Sequence, residues 1–126
     1  EGSEIYGEVY NSVIGSGVVI EEGTVVRDSI IMSGTRIGRN CTIDKAIVAE
    51  NVAVGDNVVF SVGEYAESAL NPKVYAFDLV TVAENSVIPS DVQIGKNTAI
   101  VGKTEAADYP NGLLASGQAI VKAGEM

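Results

Sequence analysis

The side chains best suited to chemistry in this sequence are cations. Arg27, Arg36 and Arg39 fall in one short stretch, Lys45 follows, and Lys73 stands in a later segment with Tyr65 and Tyr75. Such groups hold anions, phosphate above all, when no carboxylate neutralises them. Other reactive types are scarce. The 126 residues include no His, which removes imidazole general bases and His-ligated zinc together. Cys41 is the single cysteine. Without an imidazole it lacks the base that activates a thiol, and free Cys is among the most buried residue types, so packing is its expected role. One Cys permits no internal disulfide or multi-cysteine metal site, which fits a reducing cytoplasm.

Bulk charge narrows the partners. Eight basic residues against seventeen acidic ones give −9. Both nucleic acid and anionic membrane surfaces are polyanions, so neither is an expected partner. No run approaches the ~20 apolar residues of a membrane-spanning helix, and no signal peptide is visible. The sequence starts at Glu1 and enters a repeat within a few residues, which reads as a fragment of something longer.

That repeat must position the cations. Val9, Ile14, Ile20, Val26, Ile31, Ile37, Ile43, Val48, Val54 and Phe60 follow one another in steps of five or six, and three steps make seventeen. The same beat returns at Val82, Ile88, Ile94 and Ile100. It matches neither the period of two of a flat strand nor the 3.6 of a helix. A three-sided coil of seventeen residues, each side a short strand and a corner, accounts for it. Four residues after a ladder position comes a small inward residue: Val18, Thr24, Thr35, Cys41, Val52, Val58, Ser86, Val92 or Thr98. One residue earlier comes Gly, Asn or Asp, as at Gly17, Gly23, Gly34, Asn40, Asn51, Asn57, Asn85, Asp91 and Asn97. These types tolerate the left-handed backbone region that a corner demands. The five-residue sides carry Ser12, Ser29 and Ala46 at that place, so those corners are expected to turn differently, with Asn11 outside the left-handed set.

Coils stacked at the ordinary strand spacing put residues seventeen apart side by side. Arg39 then lies between Glu22 and Asp56, Arg27 beside Asp44, and Asp28 beside Lys45. Arg36 lies between Val19 and Ala53 with its charge free, and Lys73 lies outside the coils. Arg36 and Lys73 are therefore the expected contacts for an anionic effector. The organisation expected is coils over 1–60, an excursion loop over 61–81, coils again over 82–104 and a capping tail over 105–126. The segment "GQAIVKAG" of the tail could add one last strand or reach a neighbouring subunit.

The units "IGSGVV", "IGRNCT", "VGDNVV" and "IGKNTA" resemble the hexapeptide repeat of left-handed parallel β-helices, an all-β fold. "NSVIGSGVVIEEGTVVRDSIIMSGTRIG", "LVTVAENSVIPSDVQIGKNTAIVG" and "DYPNGLLASGQAIVKAGE" together resemble the carboxy-terminal domain of glucose-1-phosphate adenylyltransferase. The resemblance implies a parent enzyme that joins glucose 1-phosphate and ATP into ADP-glucose and pyrophosphate with Mg²⁺, for glycogen synthesis. It implies that catalysis belongs to an amino-terminal unit with a GxGxRLxPLT phosphate loop, a motif this chain lacks. The β-helix would support that unit, build a homo- or hetero-oligomer and help hold a sugar-phosphate effector. Plant-type members carry an activator-site Lys where this chain has Glu84, which implies a different regulator. Acyltransferases and carbonic anhydrases on this scaffold depend on His, which is missing. A regulatory paralogue subunit, or the β-helix of another sugar-phosphate nucleotidyltransferase such as a mannose-1-phosphate guanylyltransferase, remains open on these residues.

Overall fold

A computed structural model of the chain describes residues 2–62 and 79–121. It is a three-sided parallel β-helix, each side a ladder of very short strands. The first sheet stacks Glu4–Ile5, Val19–Ile20, Arg36–Ile37, Ala53–Val54 and Val87–Ile88. The second stacks Glu8–Tyr10, Val25–Arg27, Thr42–Asp44, Val59–Val62, Gln93–Gly95 and Leu113–Leu114. The third stacks Val13–Ile14, Ile30–Ile31, Ala46–Val48, Val80–Val82, Thr98–Val101 and Ala119–Val121. Every pairing is parallel. The seventeen-residue step is the register itself: Val19 pairs with Arg36, Arg36 with Ala53, and Val25 with Thr42.

The core is the ladder seen end-on. Ile20, Val26, Ile31, Ile37, Ile43 and Val48 are fully buried, as are the small inward residues from Val18 to Thr98. Full burial of such an aliphatic side chain contributes about 1.5–3 kcal/mol. The two polar members of the central coils have partners. Thr24 Oγ1 donates to the Gly38 carbonyl at 2.6 Å and accepts from the Cys41 amide at 3.0 Å. Thr35 does the same between the Ala49 carbonyl and the Val52 amide. A buried hydroxyl thus ties one coil to the next without leaving a polar group unmatched.

All nine corner residues named from the repeat have positive φ, from 55° at Asn97 to 80° at Gly23. The short sides turn in the same region, one residue earlier than the serines suggest. Asn11, Asp28 and Lys45 have φ of 46°, 48° and 51°, so the expectation that Asn11 lies outside the left-handed set is wrong. The corner there follows its ladder residue by two positions instead of three, which is why that step is five. Ser12 and Ser29 serve a different purpose: each hydroxyl donates to the carbonyl two residues back and accepts the amide one coil on.

Coil-to-coil contact is tight at the glycines that follow the ladder residues. A Cβ on Gly38 would stand 2.6 Å from the Gly55 carbonyl oxygen, and one on Gly55 would stand 2.6 Å from the Ser90 amide nitrogen. This is the physical content of the "IG" and "VG" pairs.

The edges of the excursion differ from the sequence expectation. Strand reaches Val62 and resumes at Val80, so the residues between the coils are fewer than 61–81. Residues 105–121 depart from the seventeen-residue repeat but stay on the stack, and "GQAIVKAG" adds the last strand, Ala119–Val121. Short 3-10 turns at Ala106–Asp108 and Pro110–Gly112 lead into strands that extend the second and third sheets. Tyr109, between those turns, is buried. The expected excursion loop, with Tyr65, Lys73 and Tyr75, lies outside the described residues.

Candidate functional site

The first sheet presents its outward residues in one row: Glu4, Val19, Arg36, Ala53 and Val87. Arg36 is there because its neighbour Ile37 points into the core, and alternate side chains on a strand face opposite ways. Around it lies an open groove of about 470 Å³, lined by Glu4, Tyr6, Val19, Glu21, Glu22, Arg36 and Arg39. The strand register and the left-handed corners at Gly23 and Asn40 bring these residues together.

The spacing argument left the charge of Arg36 free, and the structure pairs it. Its Nη2 lies 3.3 Å from Glu21 Oε2, with the arginine side chain 69% exposed and the glutamate 22%. The rule of seventeen could not find this pair, because Glu21 sits two residues beyond Val19, the true neighbour of Arg36. Two residues along a strand returns to the same face, so a long side chain reaches it diagonally. That signal was in the sequence, one step beyond the direct pairing.

The other expected pairs divide. Arg27 and Asp44 are 3.8 Å apart on the second sheet. Asp56 Oδ1 accepts the backbone N–H of Arg39 at 2.9 Å, so it serves the corner rather than the guanidinium. Asp28 accepts the Asn11 side-chain amide at 2.7 Å, again along the corner stack, and Lys45 adopts the left-handed backbone itself. Seventeen-residue neighbours are therefore real, but acidic corner side chains bond to amides in preference to cations.

The groove holds two guanidinium groups against three carboxylates. An incoming anion would have to take Arg36 from Glu21, and an exposed pair is held by only about 0–1 kcal/mol. Arg39, whose side chain makes no ion pair among the described residues, borders the same space. Sequence reasoning missed Tyr6 and Arg39 as companions of Arg36. Lys73 lies outside the described residues. Glu84 is exposed beside the left-handed corner Asn85.

Cys41 packs as expected. It is buried, its Sγ donates to the Gly55 carbonyl at 3.1 Å, and burial pushes its pKa up, away from a reactive thiolate. Among the described residues, no group of three or more His, Cys, Asp or Glu is placed to hold a metal ion, and no helix is long and apolar enough to cross a membrane.

Residues 1–67 match the family profile described as GlmU-like, C-terminal hexapeptide. The chain belongs to this hexapeptide family. Its curated relatives include glucose-1-phosphate adenylyltransferase of Lachnospira eligens, 66% identical over 99% of this chain and 30% of the relative. The Thermotoga maritima protein of the same name is 60% identical over 96% of this chain and 29% of its own length. That of Acetivibrio thermocellus is 41% identical over 99% of this chain and 29% of its own length. The chain thus spans about 30% of the length of the curated relatives it matches, at their carboxy-terminal part.

Proposed function

We propose that this chain is the carboxy-terminal β-helix of a glucose-1-phosphate adenylyltransferase, acting in oligomerisation and regulation rather than in catalysis. The observation that carries the reading is 66% identity across 99% of the chain to the Lachnospira eligens protein of that name. The reaction of the whole enzyme is ATP plus glucose 1-phosphate to ADP-glucose plus pyrophosphate, in the cytoplasm. ATP and Mg²⁺ belong to a nucleotide-binding unit with a Gly-rich loop. The described residues offer no cluster that would fit the metal, so no chemical step is assigned to them. The solenoid supplies a stiff wall on which that unit and further subunits are held. Arg36, with Arg39 beside it and Lys73 on the following segment, is the contact for a sugar-phosphate effector. Glu84 in place of a cation sets the choice of effector apart from that of plant-type members.

The test is an assay of pyrophosphate release by the full gene product. ADP-glucose from ATP and glucose 1-phosphate supports the reading. Product only from GTP and mannose 1-phosphate would overturn it in favour of a guanylyltransferase. In the same enzyme, Arg36→Ala should raise the effector concentration for half-activation and leave saturating activity alone. An unchanged activation curve would remove Arg36 from the effector site.

A further inference from the structure

Of the eight asparagines in the sequence, Asn111 alone precedes a glycine; the others precede Ser, Cys, Val, Pro or Thr. Those side chains crowd the backbone nitrogen that follows the asparagine. Gly112 has no Cβ and leaves its nitrogen open to the Asn111 side chain. The stacked corners also occupy their asparagines: the Asn11 and Asn57 side-chain amides donate to Asp28 and Asp91 at 2.7 and 2.9 Å. Asn111 is exposed, and it and Gly112 have φ of 55° and 72° in the turn Pro110–Gly112. That turn rests on the preceding coil, where a Cβ on Gly112 would stand 3.3 Å from the Asp91 carbonyl oxygen.

We propose that Asn111–Gly112 is a site of spontaneous deamidation, held back by the turn the two residues form. The Gly112 nitrogen attacks the side-chain carbonyl carbon of Asn111. A carbon–nitrogen bond closes a succinimide ring, and the side-chain nitrogen leaves as ammonia with the proton that Gly112 gives up. Water then opens the ring at either carbonyl, leaving aspartate or isoaspartate. In the closed turn the attacking N–H is donated to the Tyr109 carbonyl at 2.8 Å, and Tyr109 is buried. Reaction therefore waits for local opening of the last coil, whose strands are Leu113–Leu114 and Ala119–Val121. Such an opening costs less than unfolding the whole stack. Aspartate fits the same left-handed backbone. Isoaspartate does not, because it adds an atom to the main chain where the turn meets Asp91. Its formation makes a reversible opening permanent.

The test is to age the 126-residue chain in mildly alkaline buffer and locate deamidation by peptide mass spectrometry. A synthetic peptide of residues 105–117 serves as the open reference. Asn111 should react before any other asparagine, and at least about tenfold more slowly in the folded chain than in the peptide. Tyr109→Ala should bring the rate toward that of the peptide, and Asn111→Gln should abolish it. Should Tyr109→Ala fail to fold, low urea on the wild type decides: the Asn111 rate should rise in step with exchange of the Gly112 amide. In the aged protein, amide exchange should be faster over 113–121 and unchanged in the central coils. Earlier reaction at another asparagine would overturn the proposal. So would a folded chain that reacts as fast as the peptide, or a rate that ignores opening of the turn.

Discussion

Coils two to four and the last coil solve the same stacking problem with different amounts of chain. Between Val25, Thr42 and Val59 the register advances seventeen residues at a time. From Gln93 to Leu113, and from Ala99 to Ala119, it advances twenty. The three extra residues are taken up in the paired 3-10 turns, and the space beneath them is filled by Tyr109. Its hydroxyl lies 2.8 Å from Thr104 Oγ1. The Thr104 proton is already donated to the Val87 carbonyl, so Tyr109 is the donor of that pair. Burial raises its pKa to about 12. The middle coils are held by many equivalent aliphatics. The last coil adds a buried aromatic, Tyr109, to Leu114 and the partly buried Ile120.

The largest effect should come from emptying the middle of the stack. Ile37→Ala, at a fully buried site, should cost about 3–4 kcal/mol in urea unfolding. Ile120→Ala, at the partly covered end, should cost less than half of that. Equal losses would mean that the end coil is as well packed as the centre.

Tyr109→Ala should come next, at about 3 kcal/mol, with a signature that Ile37→Ala lacks. Amide exchange should accelerate over residues 113–121 and remain slow in the central coils. Loss of protection throughout would show that the last coil is not a separate latch. Tyr109→Phe sharpens the same point through pH. The tyrosine pKa is raised from 10.0 to about 12 by folding, so the neutral form is favoured in the native state. Its contribution is whole below pH 10 and disappears as pH rises toward 12. The wild-type melting temperature should fall across that window, and the phenylalanine variant should fall less steeply.

Corner substitutions should matter less and, unlike the first two, equally across the regular coils. Asn40→Val and Asn11→Val should each cost about 1–2 kcal/mol, since both residues have positive φ. A clear excess at Asn40 would return the short corners to a different geometry. The smallest effect on stability belongs to Arg36→Ala. Its ion pair is exposed, and thermal unfolding should move by the equivalent of less than about 1 kcal/mol.

The regular coils were legible because their physics is periodic. Each ladder residue, each small inward residue and each long-side corner recurs at a fixed spacing, so one misread unit is corrected by its neighbours. The short corners were expected to turn differently, because Ser12, Ser29 and Ala46 stand where the long sides carry Gly, Asn or Asp, but the residues that take the left-handed backbone there were not picked out. Asn11, Asp28 and Lys45 stand one place earlier, and a lysine gives no hint of a left-handed backbone. Tyr109 was not legible. "DYPNG" announces a turn, but nothing in those five residues says that its tyrosine is buried. The groove was half legible. Arg36 was placed in the right row, and its bond to Glu21 was missed because direct register was considered and diagonal reach was not.

The tube itself can be read through its hydrogen bonds. Strand amides donate forward to the following coil, as from Arg36 to the Val52 carbonyl at 2.9 Å. Left-handed corner amides donate backward, as from Asn40 to the Glu22 carbonyl at 3.1 Å. Scalar couplings across hydrogen bonds, measured by NMR on the labelled chain, report donor and acceptor directly. Couplings from Arg36 N to Val52 C′ and from Asn40 N to Glu22 C′ are the predicted result. Partners found only within the same hexapeptide would contradict the stacked coil.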